Sequence, residues 1–97
     1  MRMLLKVSMP VEHGNAAIKS GALQRSVEAA MKALTPEAAY FFPEDGKRTF
    51  MMVFDMQGSW QLPAIVEPLF QNLGASILVT PVMNGDDLQR GLKEAGM

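Results

Sequence analysis

The sequence contains no cysteine and only one histidine, one tryptophan and one tyrosine. The absence of cysteine excludes disulfides, a thiol nucleophile and metal sites built on thiolates. A single histidine has no second histidine to share a metal ion with, and no group of His, Asp and Glu shows the spacing of metal ligands. The sequence therefore predicts no metal site and no cofactor.

The chain also lacks an excess of charge, since nine Lys and Arg stand against ten Asp and Glu, a net charge of −1. Domains that bind nucleic acid are usually strongly basic, so no nucleic-acid partner is expected. Lys6 interrupts the first apolar run too early for a secretory signal, and no run approaches the ~20 residues that cross a bilayer. We expect a cytoplasmic protein without a membrane partner.

The sequence contains enough apolar residues to form one hydrophobic core. It has 97 residues, of which 48% are hydrophobic and 20% are charged. Chains of this length rarely hold two cores, so residues 1–97 are predicted to form one domain.

Alternating residues predict four strands. Two of them cover Met3–Met9 and Arg48–Met56, and each carries one wholly apolar row of side chains. The other two are predicted at Ala38–Phe42 and at Ala75–Met83. Asp45-Gly46 is a typical hairpin turn between the second and third strands.

Apolar residues at helical spacing predict two longer helices and a short one. The first covers Ala16–Leu34 with a break at Gly21, after a loop in which Asn15 is the expected N-cap. The second runs from about Trp60 to Leu73, where Gly74 stops it. A short helix is predicted from Asn84 toward Ala95.

This β-α-β-β-α-β order predicts an α+β, ferredoxin-like fold. Its four-stranded antiparallel sheet has the first and third strands at the centre, two helices on one face and the short helix at the C-terminus. The sheet face turned away from the helices would carry an apolar patch, which monomers seldom expose. A second copy related by a two-fold axis would cover it, so we expect a homodimer through this face. The patch comprises Leu4, Tyr40, Phe42, Met51, Val53, Leu78 and Val82.

Residues 3–83 resemble the dimeric α/β-barrel group of ferredoxin-like proteins in the order of their elements and in the distribution of apolar residues over the two faces of the sheet. The resemblance implies face-to-face sheets and a ligand pocket between sheet and helices. Locally, the stretches at 1–7, 36–41 and 66–70 look like those of small uncharacterised bacterial proteins. The wider group includes muconolactone isomerases, cofactor-free monooxygenases, haem enzymes and non-catalytic members, so the resemblance implies no particular chemistry.

Two residues are candidates for catalysis. His13, predicted in the loop after the first strand, could act as a base or hold a ligand, or it could be an ordinary exposed histidine. Asp55, on the apolar sheet face, could be a buried general base, or it could form an ion pair with Lys6 at the edge of a dimer. The topology separates the two, so a His–Asp dyad within one chain is not expected.

Four further residues are candidates for ligand binding. Trp60 could cover a pocket and stack on an aromatic ligand, and Tyr40 could donate a hydrogen bond into the dimer face. Met52 and Met56 could shape an adaptable cavity, because the thioether side chain is flexible. All four could instead be packing residues.

Three functions are compatible with this sequence. The preferred one is a homodimer that binds a small apolar molecule without catalysis. The alternative is a cofactor-independent isomerase or monooxygenase with His13 or Asp55 as base. The third is an interaction module whose sheet face meets a different protein.

Overall fold

The computed structural model describes residues 1–97 as a four-stranded antiparallel sheet with helices packed on one side. The strands are β1 (Arg2–Ser8), β2 (Ala38–Glu44), β3 (Lys47–Asp55) and β4 (Ser76–Pro81). Their order is β2-β3-β1-β4, so β1 and β3 are central and β2 and β4 are the edges. This order confirms the ferredoxin-like fold predicted from the sequence.

The helices are α1 (Val11–Ser20), α2 (Ala22–Leu34), α3 (Leu62–Leu73) and α4 (Gly85–Glu94), and a 3-10 turn at Ser59–Gln61 leads into α3. Two glycines set the boundaries where the sequence predicts them. Gly21 separates α1 from α2 with a φ of 82°, and Gly74 ends α3 with a φ of 58°. Both values lie in the left-handed region, which a residue without a Cβ adopts at little cost.

The start of the first helix differs from the prediction. Helix α1 begins at Val11, directly after Pro10, whose carbonyl accepts a hydrogen bond from the N–H of Gly14 at 2.9 Å. Asn15 is therefore not an N-cap; its Oδ1 accepts from Nη1 of Arg48 at 2.9 Å. His13 lies inside the helix and not in a loop. The predictions for Asn15 and for the loop were wrong because Pro10 lacks the N–H that a helix start leaves unpaired, so the helix can begin beside it.

The core lies between the sheet and the helices, as the alternating rows predict. Helix α3 covers the rows with Leu69 and Leu73, and α1 contributes Ala17. Helix α2 buries no residue completely, although its apolar side chains pack against the core. None of the four helices combines the length and the apolar character needed to span a membrane. The buried apolar residues of β1 and β3, together with the methionine that follows each strand, are Met3, Leu5, Val7, Met9, Phe50, Met52, Phe54 and Met56.

Candidate functional site: the cleft between the second and third helices

A cleft of about 750 Å³ lies between α2 and α3 on the helix side of the sheet. Its floor is formed by Leu5 and Phe54, one from each central strand. Because an alanine side chain ends at Cβ, a wall built largely of alanine leaves the space between the helices unfilled. The α2 wall comprises Ala22, Arg25, Ser26, Ala29, Ala30, Ala33 and Leu34, and the α3 wall comprises Ala64, Ile65, Pro68, Leu69 and Asn72.

The two ends of the cleft carry its polar groups. Helices α2 and α3 cross back from β1 and β3, and since these strands are antiparallel, the two helices are antiparallel as well. Asp55 and Gln61 therefore lie at the end where α3 begins, beside Trp60. Arg25 and Asn72 lie at the other end. The long middle section is apolar, so the cleft suits an elongated apolar molecule with polar contacts available at its ends.

Trp60 stands at the mouth of the cleft, and its side chain is 75% exposed. The indole ring lies directly over Gly58, where an added Cβ would overlap the ring atoms Cζ3, Cε3 and Cη2. The loop below is closed by the N–H of Gln57, which donates to Oε1 of Gln61 at 2.8 Å. The position of this exposed ring thus depends on a glycine beneath it. Trp60 is the one predicted ligand-binding residue that lines the cleft.

Asp55 ends β3 and lines the same mouth, where it is exposed in the single chain. Its side chain is 68% exposed; Oδ1 accepts from the Met1 amino group at 2.6 Å, and Oδ2 accepts from Nε2 of Gln57 at 3.0 Å. Within one chain Asp55 does not pair with Lys6, because Nζ of Lys6 donates to Glu44 on the edge strand at 2.8 Å; an ion pair between subunits stays a prediction. The strand register explains this difference, since it aligns Asp55 with Arg2 and not with Lys6.

His13 lies outside the cleft. Its ring packs against Gly74 at the C-terminal end of α3, where a Cβ on the glycine would come within 2.7 Å of Cδ2. Asp55 lies near the other end of this 12-residue helix, which is about 18 Å long at 1.5 Å per residue. As the topology predicts, the structure does not bring His13 and Asp55 together in one chain.

The remaining predicted residues lie elsewhere. Met52 and Met56 are buried in the core, and neither lines the cleft. Tyr40 is 65% exposed on β2, on the sheet face turned away from the helices. Their roles in binding stay predictions. Sequence reasoning missed the α2 wall, although the repeated alanines at Ala22, Ala29 and Ala33 are a visible signal of an open helix flank.

The sheet face turned away from the helices, which we call the open face, is uncovered in the single chain. Its apolar side chains are half-buried or exposed, and Leu78 on the edge strand β4 is 48% exposed. At the margin of the open face, Arg2 forms ion pairs with two carboxylates. Nε of Arg2 donates to Glu37 at 2.6 Å and Nη1 donates to Asp87 at 3.1 Å. The hydrogen bond to Glu37, followed by the charge of that carboxylate, raises the pKa of Arg2, and Asp87 adds to the effect.

Comparisons with known proteins bear on the fold alone. No family model and no curated protein matches the chain. Among solved structures, the chain is similar to "De novo designed protein Ferredog-Diesel", with a TM-score of 0.50 and 9% identity over 84% of this chain and 85% of that chain. A likeness at this identity supports the ferredoxin-like architecture and carries no activity.

Proposed function

We propose that the protein is a homodimer that binds a small apolar molecule in the cleft between α2 and α3 without transforming it. The observation that carries this proposal is the cleft itself. Its volume of about 750 Å³ falls in the range of roughly 300–1,000 Å³ that is usual for small-molecule sites. An apolar floor and walls with a few polar groups at the ends are also the usual composition of such sites.

The chemistry of the lining favours binding over catalysis. An apolar ligand would gain about 25 cal/mol for each Å² of apolar surface that it removes from water. Trp60 offers an exposed aromatic face for stacking, and Arg25 at the far end offers donors to a polar group. The enzyme alternative needs a base that reaches the ligand. Since His13 lies outside the cleft, that alternative depends on Asp55, whose carboxylate already accepts two hydrogen bonds.

The surface area of the chain supports the homodimer. The accessible surface is 6461 Å², whereas a folded monomer of this mass is expected to expose about 5,500 Å². The excess of about 1,000 Å² is comparable to the roughly 800 Å² that each partner buries in a standard interface. The open face supplies an apolar surface for this contact, and it lies on the opposite side of the sheet from the cleft. Dimerisation would therefore leave the cleft accessible.

Ligand binding can be tested with naphthylmethanol, a neutral aromatic probe, followed by the fluorescence of Trp60. We expect saturable binding that changes the Trp60 emission, because the probe would lie against the only tryptophan of the chain. Ala29→Phe, which adds a ring to the α2 wall, should abolish binding. Glu28→Phe adds the same ring to the neighbouring exposed position, which does not line the cleft, and should preserve binding.

Two results would contradict the proposed site. One is the absence of saturable binding by apolar probes of different shapes. The other is equal loss of binding in Ala29→Phe and Glu28→Phe, since that would show a general effect on α2 and not occupation of the cleft.

A further inference from the structure

Helix α4 projects from the domain as an isolated element. Every residue from Met83 to Met97 is exposed, and α4 does not pack closely against any other helix or strand. The radius of gyration is 15.2 Å and the longest dimension is 52 Å, whereas a compact chain of this length has a radius of gyration of about 12.5 Å. The projecting helix accounts for this extended shape.

A helix of this kind is not stable by itself. It has 10 residues, including two glycines, while isolated helices shorter than about 12–15 residues are marginal in water even when rich in alanine. Its start is nevertheless well defined. Oδ1 of Asn84 accepts from the N–H of Asp87 at 2.8 Å, and the Asp87 carboxylate accepts from the N–H of Asn84 at 3.2 Å. A capped but unpacked helix therefore needs a partner surface for most of its stability.

One side of α4 is suited to such a surface. Leu88 and Leu92 are one turn apart and form an apolar stripe, with exposed fractions of 46% and 42%. At 3.6 residues per turn, the small residues Gly85, Gly91 and Ala95 flank this stripe, and they would allow close approach of another surface. The opposite side carries Arg90 and Glu94, which pair at 3.1 Å.

An ion pair joins the start of α4 to the margin of the open face. Asp87 is held at 3.1 Å by Arg2, whose side chain lies on the open face of β1. Leu88 is one residue further on, and thus turned about 100° from this contact. The acidic and basic side chains of α4 nearly balance, so it lacks the basic face typical of helices that bind anionic membranes. A second copy of the chain, placed over the open face by a two-fold axis, is the partner that this position fits.

We propose that the Leu88–Leu92 stripe of α4 docks on the open sheet face of the second subunit, so that each subunit clasps the other. This inference rests on the proposed homodimer and adds α4 to its interface. The excess accessible surface of the chain would then be buried in one continuous contact, because the ion pair between Arg2 and Asp87 joins the open face to α4.

The test compares two pairs of substitutions in the full chain. Leu88→Ser with Leu92→Ser removes the stripe, and Arg90→Ser with Glu94→Ser removes the ion pair on the opposite side as a matched control. From the usual weight of buried leucines, the first pair should raise the dimer dissociation constant by about a hundredfold or more. The control should change it less than about threefold, as exposed ion pairs contribute little. Sedimentation equilibrium measures both.

A direct readout uses the absence of cysteine from the chain. In one sample, a Gln89→Cys chain carrying a spin label is mixed with wild-type chain that is enriched in ¹⁵N and carries no spin label. The spin label should broaden amide signals of the open face in the ¹⁵N subunit, such as those of Tyr40 and Leu78. A dimer without such broadening, or equal weakening of the dimer by both substitution pairs, would overturn the docking of α4 while leaving the sheet-face dimer intact. A monomeric wild type at micromolar concentration would overturn both the proposed homodimer and the docking of α4.

Discussion

Met51 is the most informative position for testing which face of the sheet meets a second subunit. It lies in the middle of β3 on the open face, opposite Lys6 on β1 and Tyr40 on β2. Its side chain is half-buried in the single chain and would be fully buried in the proposed dimer. Met51→Lys places an ammonium group at the centre of that contact.

The expected magnitude follows from this burial. Burying a whole methionine side chain is worth about 1.5–3 kcal/mol, so the part still exposed contributes about 1 kcal/mol in each subunit. Both subunits carry the substitution, and desolvation of two lysines adds a cost of about the same size. A loss of about 4 kcal/mol in association corresponds to an increase of roughly a thousandfold in the dissociation constant.

The subunit itself should lose much less. Met51→Lys sets a second ammonium opposite Lys6, and like charges across a strand pair cost about 0.2–1 kcal/mol. Met51→Glu avoids this repulsion, because its carboxylate faces Lys6, yet it introduces a charge into the same contact. Met52→Lys is the control for the other face; Met52 is fully buried in the core, so this substitution should unfold the subunit.

Sedimentation equilibrium gives the dissociation constants, and thermal unfolding followed by circular dichroism gives the stability of the subunits. The account predicts that Met51→Lys and Met51→Glu yield folded monomers and that Met52→Lys yields unfolded chains. Unfolding by Met51→Glu, with a folded Met52→Lys variant, would show that the strand faces are assigned the wrong way round. An unchanged dissociation constant in both Met51 variants would refute the open face as the interface.

Two glycines give further predictions. Gly58→Ala should displace the Trp60 ring, change its emission and weaken binding of naphthylmethanol, because the added Cβ overlaps the indole. If Gly58→Ala lowers the stability and the further substitution Trp60→Ala does not restore it, the contact between Gly58 and the ring is contradicted. Gly74→Ala should lower the free energy of unfolding by about 1–2 kcal/mol, measured by urea titration, because the left-handed conformation penalises a Cβ. Adding His13→Ala to Gly74→Ala should restore only the part of the lost free energy of unfolding that comes from the clash with the His13 ring. Full restoration would show that the backbone at Gly74 is not strained.

The sequence predicts the fold well because its signals are local and repeated. Alternation over Met3–Met9 and Arg48–Met56 identifies the two central strands and the side that each buries. Asp45 and Gly46, with φ values of 53° and 74°, form the hairpin turn expected of this dipeptide. At these positions, the backbone preference of a residue and the tertiary structure agree.

The parts that the sequence does not predict depend on distances between elements. The cleft exists because alanines on α2 face α3 across a gap, and a single sequence does not state how far apart two helices pack. The ion-pair partners of Lys6 and Asp55 depend on which charged groups each side chain can reach at the edge of the sheet, and Glu44 lies within reach of Lys6. Likewise, the final helix is predicted from its pattern, but its isolation from the domain is a property of the folded chain.

The mass of the wild-type protein in solution tests the central claim, that a second copy covers the open face, most directly. Small-angle scattering at micromolar concentration should give the mass of two chains and a particle more compact for its mass than the single subunit. A particle with the mass of one chain and a radius of gyration near the 15.2 Å of the single subunit would contradict the claim.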